Sequence, residues 1–202
     1  MTRFLALPAI LAALALAACT PPLPANQGEA NQGNDVDAIS VIDSENAAAP
    51  ADANALTAAG LGALRIGMSR ADLVAAMGDS SAANADPASC EQFHPARAPA
   101  GVLVMLEGGK LTRISLIRDA AIETDAGLGL GATATQVKAA YGARATATPH
   151  KYVAAPAEYI TVWTSGTGGP GSLGIVYEVG AEGKVTAIHA GGPAIRYVEG
   201  CS

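Results

Sequence analysis

Two stretches of the sequence align without a gap at an offset of 64 residues, and they constrain the fold more than any other feature. Residues 66–78 read Ile-Gly-Met-Ser-Arg-Ala-Asp-Leu-Val-Ala-Ala-Met-Gly, and residues 130–142 read Leu-Gly-Ala-Thr-Ala-Thr-Gln-Val-Lys-Ala-Ala-Tyr-Gly. Each has a hydroxyl residue suited to a helix N-cap, an apolar stripe at helical spacing and a final glycine that favours a C-cap. The sequence therefore predicts two short helices, which follow Ser69 and Thr133.

The segments after both helices are also alike, because apolar runs alternate there with glycine turns. Gly-Lys-Leu-Thr-Arg-Ile at 109–114 matches Gly-Lys-Val-Thr-Ala-Ile at 183–188. Such runs are typical of antiparallel strands. We place strands at Cys90–Phe93, Val102–Leu106, Leu111–Ile117, Glu158–Thr164, Leu173–Val179 and Val185–His189. The expected fold class is α+β, with two tandem helix-plus-antiparallel-β-meander repeats, 56–125 and 126–202, packed as one domain.

Alternation along the last strand of each repeat predicts which side chains face the core. Ile114 and Ile188 are expected to be buried, whereas Arg113 and His189 are expected to face outward. Residues 143–157 have no counterpart in the first repeat and are interpreted as an insertion.

The sequence Gly-Met-Ser-x-x-Asp-Leu-x-x-x-Met-Gly at 67–78, followed by a predicted meander, resembles the small outer-membrane lipoproteins of the SmpA/OmlA type. That group includes the small subunit of the barrel-assembly machinery. The tandem arrangement is also similar to the β-lactamase inhibitor proteins. The resemblance covers roughly residues 60–118 and 128–190, and it implies a protein that acts by binding other proteins, without catalysis.

The N-terminus has the pattern of an export signal. Arg3 precedes an apolar run from Phe4 to Leu16, which ends in Leu16-Ala17-Ala18-Cys19. This ending resembles the lipobox of bacterial lipoproteins. The resemblance implies a signal peptide at 1–18 and acylation of Cys19, for example with palmitate. Because Thr20 rather than Asp follows the cysteine, it also implies an outer-membrane anchor facing the periplasm. An ordinary secretory signal with an incidental cysteine is the alternative.

Residues 19–55 are predicted to be a disordered acidic tether, rich in proline and alanine. Residues 20–55 contain six acidic residues and no Lys or Arg, whereas residues 56–202 contain 12 acidic and 11 basic residues. The acidity therefore belongs to the tether. The chain has no run of basic residues, so we expect no nucleic-acid partner. A spacer is the simpler interpretation of the tether, and a docking tail is the alternative.

Cys90 and Cys201 form an even pair in an exported domain, which favours a disulfide between them. Metal binding by Cys90 and His94 is the rival hypothesis, but side chains four apart on a strand lie too far apart to chelate readily. The sequence contains no Cys-x-x-Cys or His-Glu-x-x-His motif and no spacing that indicates a catalytic triad. We expect no metal, no cofactor and no enzymatic activity.

A short segment concentrates aromatic and cationic side chains in a chain that has few of them. Such residues are typical of protein interfaces, although ordinary core aromatics are the alternative. The candidate partner-binding residues are His150, Lys151, Tyr152, Tyr159 and Trp163. The expected function is that of a non-enzymatic envelope lipoprotein that binds a periplasmic or outer-membrane protein, as an assembly scaffold or a hydrolase inhibitor. The alternative is a lipoprotein that binds a small molecule or glycan.

Overall fold

An eight-stranded antiparallel sheet organises the structure, a computed structural model that describes residues 54–80, 84–86 and 89–201. These residues belong to one unit, Asn46–Ser202. The predicted signal peptide, Cys19 and nearly all of the predicted tether lie outside the described residues. The strands are β1 (Gly60–Leu61), β2 (Leu64–Arg65), β3 (Asn84–Asp86), β4 (Cys90–Phe93), β5 (Val102–Glu107), β6 (Lys110–Ile117), β7 (Ala145–Pro149), β8 (Glu158–Ser165), β9 (Leu173–Val179) and β10 (Val185–Gly191).

Two helices, α1 (Arg70–Met77) and α2 (Ala134–Tyr141), lie where the sequence predicts them. The Thr133 hydroxyl accepts from the backbone N–H of Gln136, whose side chain in turn accepts from the Thr133 N–H, which completes a capping box. At α1 the Ser69 hydroxyl caps the Asp72 N–H, but it also donates to the Asp72 carboxylate. The side chain of Asp72 is shorter than that of Gln136, and it bonds to the hydroxyl of Ser69 instead of the Ser69 backbone N–H.

The predicted fold class, an α+β pair of helix-plus-meander repeats, is wrong. The structure is mostly β, because its helices have only eight residues each and each fully buries one side chain, Leu73 or Val137. The large sheet has the order β3-β4-β5-β6-β10-β9-β8-β7, so β6 and β10 join the two halves of the chain edge to edge. The predicted meanders also lack β3 and β7, and β7 lies in the segment interpreted as an insertion.

The hydrophobic core lies on the face of the sheet that the helices cover, which we call the helix face. Ile114 and Ile188 are fully buried there, as predicted, and Leu73 and Val137 pack into the same cluster. The cluster includes residues from both halves of the chain, so the halves share one core. Neither α1 nor α2, nor any other helix of the described part, is long and apolar enough to span a membrane.

The opposite face of the sheet is covered by the end of the chain. After β10 the chain forms a 3₁₀ turn, Pro193–Arg196, which packs on β6, β9 and β10. Ala194 and Ile195 of this turn are buried. The following residues continue to Cys201, which is bonded to Cys90 of β4. We call residues 193–201 the C-terminal segment and the sheet surface beneath them the covered face.

Candidate functional site

The predicted disulfide between Cys90 and Cys201 is confirmed. It joins residues 111 positions apart, with their Cα atoms 5.5 Å from each other. Cys201 follows the last strand, in a stretch with no strand pairing of its own. The disulfide therefore fixes the C-terminal segment on the sheet.

Arg113 is a second attachment of the C-terminal segment. Its Nη1 donates to the carbonyls of Tyr197 at 2.8 Å and Ala194 at 3.3 Å, and its Nη2 donates to Gln92 Oε1 at 3.1 Å. Burial lowers the pKa of this guanidinium. Arg113 and His189 do lie on the face opposite Ile114, as alternation predicts. The expectation that they face outward is nevertheless wrong, because the C-terminal segment buries Arg113 and largely covers His189.

A cavity of about 160 Å³ lies between the covered face and the C-terminal segment. Its walls are mostly apolar, and its few polar groups include a carboxylate and an imidazole. The lining residues are Thr148, Tyr159, Thr161, Val176, Glu178, His189, Ile195, Arg196, Tyr197 and Val198. Ligand pockets usually have volumes of roughly 300–1,000 Å³, so this cavity suits a single side chain or a benzene-sized group better than a larger ligand.

Glu178 lies between two histidines beside this cavity. His189 Nε2 is 3.8 Å from one carboxylate oxygen, and His150 Nε2 is 3.2 Å from the other. His189 and then His150 lower the pKa of the Glu178 carboxyl. Burial lowers the pKa of His189, whose Nδ1 lies 2.8 Å from the hydroxyl of Ser115. The arrangement favours an ionised carboxylate next to a neutral His189.

The hydrogen bonds of His150 fix its protonation pattern. Its Nδ1 accepts from the backbone N–H groups of Tyr152 and Val153, at 3.1 and 3.2 Å, so its Nε2 carries the proton that is donated to Glu178. A protonated Nε2 has no lone pair for a metal ion. His150, Glu178 and His189 are therefore poorly suited to ligate a metal. Among the described residues, no group of three or more His, Cys, Asp or Glu side chains is arranged to hold one.

Trp163 is covered by the C-terminal segment and by the glycine-rich loop between β8 and β9. The guanidinium of Arg196 is 5.8 Å from the centre of its ring and also donates to the Gly168 carbonyl at 3.1 Å. Gly168 has a φ of +92°, and a Cβ there would lie 2.9 Å from the indole. The glycine-rich loop between β8 and β9 thus packs on Trp163, which is half-buried. Its position indicates a packing role that joins the loop to the C-terminal segment.

Four large apolar side chains are exposed in the described part of the chain, and they lie in two segments that contact each other. Tyr152 is 60% exposed, Tyr197 is 46% exposed, and Val153 and Val198 are each 38% exposed. The Tyr152 hydroxyl donates to Glu199, and the Lys151 ammonium lies 3.6 Å from the same carboxylate. Because Tyr197 and Val198 also line the cavity, we call these four residues the rim cluster.

The structure divides the five predicted partner-binding residues into two groups. Lys151 and Tyr152 are exposed, with the ammonium 5.1 Å from the centre of the tyrosine ring. The His150 side chain is only 6% exposed, and Tyr159 and Trp163 are partly buried beneath neighbouring groups. Sequence reasoning missed Tyr197 and Val198. The predicted Cys90–Cys201 disulfide could have indicated them, because it brings the residues before Cys201 onto the sheet.

In comparisons with known proteins, no family model, no curated protein and no solved structure matches this chain.

Proposed function

We propose that the protein is a lipid-anchored envelope protein that binds another protein through the rim cluster. The observation that carries this proposal is that the loop with the exposed Tyr152 and Val153 bonds to Glu199, next to the exposed Tyr197 and Val198. Scattered exposed apolar residues are normal, but a contiguous patch with aromatic residues is typical of interfaces. Lys151 and Glu199 supply charged groups beside the patch, as the polar margin of an interface does.

The geometry favours a protein partner over a small ligand. The cavity is small, and its opening is bordered by exposed tyrosine and valine side chains that a small molecule would leave in water. A protein surface would cover these side chains and could insert one apolar side chain into the cavity. Hot spots of binding energy are enriched in tyrosine and lie in such pockets.

The proposed location in the cell envelope rests on the sequence, and the disulfide supports it. Disulfides persist in exported proteins and are rare in the reducing cytosol. The lipobox at Leu16–Cys19 supports an anchor at Cys19, and the motif at 67–78 supports a role like that of SmpA/OmlA-type lipoproteins. A flexible tether of residues 20–55 would place the sheet on the order of 30–36 Å from the membrane.

A photo-crosslinking experiment tests the proposal. A benzophenone amino acid is introduced at Tyr152 or Tyr197 of the full chain in cells, and crosslinked products are isolated from the envelope and identified by mass spectrometry. Thr135 is the matched control, because it is exposed on α2, on the other side of the sheet. We expect the same protein to be captured from positions 152 and 197 but not from 135. Capture from all three positions alike, or from none, would contradict the proposal.

Binding of a small ligand is the second candidate function, and the convergence of Glu178 and His189 on the cavity favours it. Benzylamine is a suitable probe, because it combines a benzene-sized body with an ammonium that could bond to the Glu178 carboxylate. Calorimetric titration should show binding to the wild-type protein and none to Val176→Trp, in which the cavity is filled. Absence of heat with both proteins would leave the protein-binding proposal as the better one.

A further inference from the structure

The strand β7 forms one end of the large sheet, and none of the described residues pairs with its outer edge. Its five residues, Ala-Thr-Ala-Thr-Pro, are mostly exposed and pair with β8 in an unbroken antiparallel register. The strand at the other end, β3, has only three residues. The outer edge of β7 is thus the longer of the two edges that the described sheet offers.

The register shows which backbone groups of β7 point away from the sheet. The His150 N–H donates to the Ala157 carbonyl, and hydrogen-bonded pairs alternate along an antiparallel ladder. Thr146 and Thr148 therefore bond to β8, whereas Ala145, Ala147 and Pro149 direct their backbone groups outward. Proline has no N–H, and the Ala145 N–H is taken up by the Gly142 carbonyl. The open groups are the Ala147 N–H and the carbonyls of Ala145, Ala147 and Pro149.

β7 lacks most of the features that prevent another strand from pairing with an exposed sheet edge. Exposed edges are usually blocked by charged side chains, bulges or covering segments. β7 has no charged residue and no bulge, and Pro149 removes only an outward N–H at one end. An edge left open in this way is a template for an added strand.

We propose that β7 receives an extended strand from the protein partner, which would become the ninth strand of the sheet. This inference rests on the proposed function and specifies how the partner binds. Thr148 lies on the covered face and lines the cavity together with Tyr197 and Val198. Alternate side chains of the added strand would stand beside Thr146 and Thr148, from where a long apolar side chain can reach the rim cluster. The edge and the rim cluster thus form one continuous surface.

A strand from a different protein fits this edge better than a second copy of β7. Two copies paired about Ala147 would exchange two hydrogen bonds there. The next pair would place Pro149, which has no N–H, opposite the Ala145 carbonyl, and the Ala145 N–H is already bonded. A strand with its own free N–H groups can donate to all three outward carbonyls and accept from Ala147.

The test measures binding of a synthetic peptide to the full chain in detergent. The peptide has free termini and the sequence Lys-Thr-Val-Thr-Leu-Thr-Val-Thr-Lys. A second peptide is methylated at two adjacent central backbone nitrogens, so that neither of its edges is intact. Ala147→Pro removes the one open outward N–H of β7 and leaves the bonds to β8 in place, and Ala147→Val is the matched control that keeps this N–H. Binding is measured by fluorescence anisotropy, and the Ala147 amide is followed by NMR.

We expect saturable binding of the unmethylated peptide to wild type and Ala147→Val, with a shift of the Ala147 amide resonance. Ala147→Pro and the methylated peptide should each bind about tenfold more weakly, which corresponds to the loss of one hydrogen bond with its partner left unpaired. Equal binding of both peptides, an unmoved Ala147 amide, or no saturation below about 1 mM, the range of a weak complex, would overturn the inference. The amide measurement decides the question even if Ala147→Pro proves unstable.

Failure of this inference can be told apart from failure of the proposed function. The photo-crosslinks from positions 152 and 197 are repeated in the Ala147→Pro background. If they persist unchanged, a protein binds the rim cluster without adding a strand, so the proposed function stands and the edge inference fails. If they are lost in Ala147→Pro but kept in Ala147→Val, both are supported.

Discussion

The imidazole of His150 lies flat against the ring of Tyr159, with the ring centres 4.6 Å apart and the planes 18° from parallel. This stack, together with the bond from His150 to Glu178, joins the loop after β7 to β8 and β9. Two of the residues expected to contact a partner thus hold the loop that presents Tyr152. They position the rim cluster from beneath it.

Replacement of Cys19 by serine should release the protein from the membrane. Serine has no thiol to which a lipid can be attached, so the proposed anchor would be lost. Fractionation of cells that express Cys19→Ser should find the protein in the soluble fraction, whereas Cys90→Ser, which spares the lipobox, should remain with the membrane. A Cys19→Ser protein that still sediments with membranes and is released by detergent would place the anchor elsewhere.

Loss of the Cys90–Cys201 disulfide should destabilise the fold. The bond closes a loop of 111 residues, and the chain-entropy model assigns such a closure about 4–5 kcal/mol. Chemical denaturation of Cys90→Ala/Cys201→Ala should show a loss of up to this size, and reductant should reduce the stability of the wild type but not of the variant. Equal stability of wild type with and without reductant would show that the bond contributes nothing.

The ion pair between Arg70 and Glu91 should be important for stability. Arg70 Nε and Nη2 lie 2.9–3.1 Å from the Glu91 carboxylate, whose side chain is only 3% exposed. Arg70→Ala would leave this carboxylate buried and unpaired, which costs about 3 kcal/mol, the low end for buried pairs, because a third of the Arg70 side chain is in solvent. Arg70→Lys should cost less, because it keeps the charge but loses the second hydrogen bond.

The matched control for this pair is Arg65→Ala. Within the described part of the chain, the Arg65 guanidinium bonds only to nearby backbone carbonyls, so its replacement should change the free energy of unfolding by less than about 0.5 kcal/mol. If Arg70→Ala were as mild as Arg65→Ala, the account of Glu91 as a buried charge that needs a partner would be wrong.

Stability should fall as the pH decreases below neutral, because of His189 and Glu178. Both have a folded-state pKa below the ordinary value, so the unfolded chain binds protons more readily than the folded one. Their contribution to stability is complete above pH 6.5, the ordinary pKa of histidine. The contribution of His189 is lost as the pH falls below this value, and that of Glu178 is lost at the lower pH where carboxyl groups titrate. The free energy of unfolding of His189→Gln should therefore change less between about pH 7 and pH 5 than that of wild type.

His94→Gln is the control for this measurement, since His94 is exposed and lies in the loop between β4 and β5 rather than beside Glu178. It should retain the pH dependence of the wild type. If the free energy of unfolding changed with pH equally in His189→Gln and wild type, a role for the buried imidazole would be contradicted.

The local elements of this fold were predictable, but their assembly was not. Leu173–Val179 has the predicted bounds, because an apolar run between glycine turns has a strong local pattern. Cys90–Phe93 also has the predicted bounds, although Glu91 and Gln92 interrupt any apolar run there. β7 is not predicted, because its alternating residues are only Ala and Thr, which give no pattern of large apolar side chains. The pairing of Ser115 with His189, which joins both halves into one sheet, links residues 74 apart, and no local pattern encodes such a contact.

The candidate site was only partly predictable for a related reason. Aromatic composition identified the loop at 150–152, but burial of His150 and exposure of Tyr197 depend on where the C-terminal segment crosses the sheet. The predicted Cys90–Cys201 bond already required that the chain end return to β4. Combined with the strand order, it would have placed that segment over Arg113.

The binding affinity of the protein crosslinked from positions 152 and 197 tests the central claim most directly. The purified partner is titrated with wild type, Tyr152→Ala/Tyr197→Ala and the control Thr135→Ala, each checked for an unchanged melting temperature. Interface tyrosines at hot spots contribute about 2 kcal/mol or more, so the double variant should bind at least about 30-fold more weakly, and Thr135→Ala should bind like wild type. A folded double variant with the wild-type Kd would contradict the assignment of the rim cluster as the binding surface.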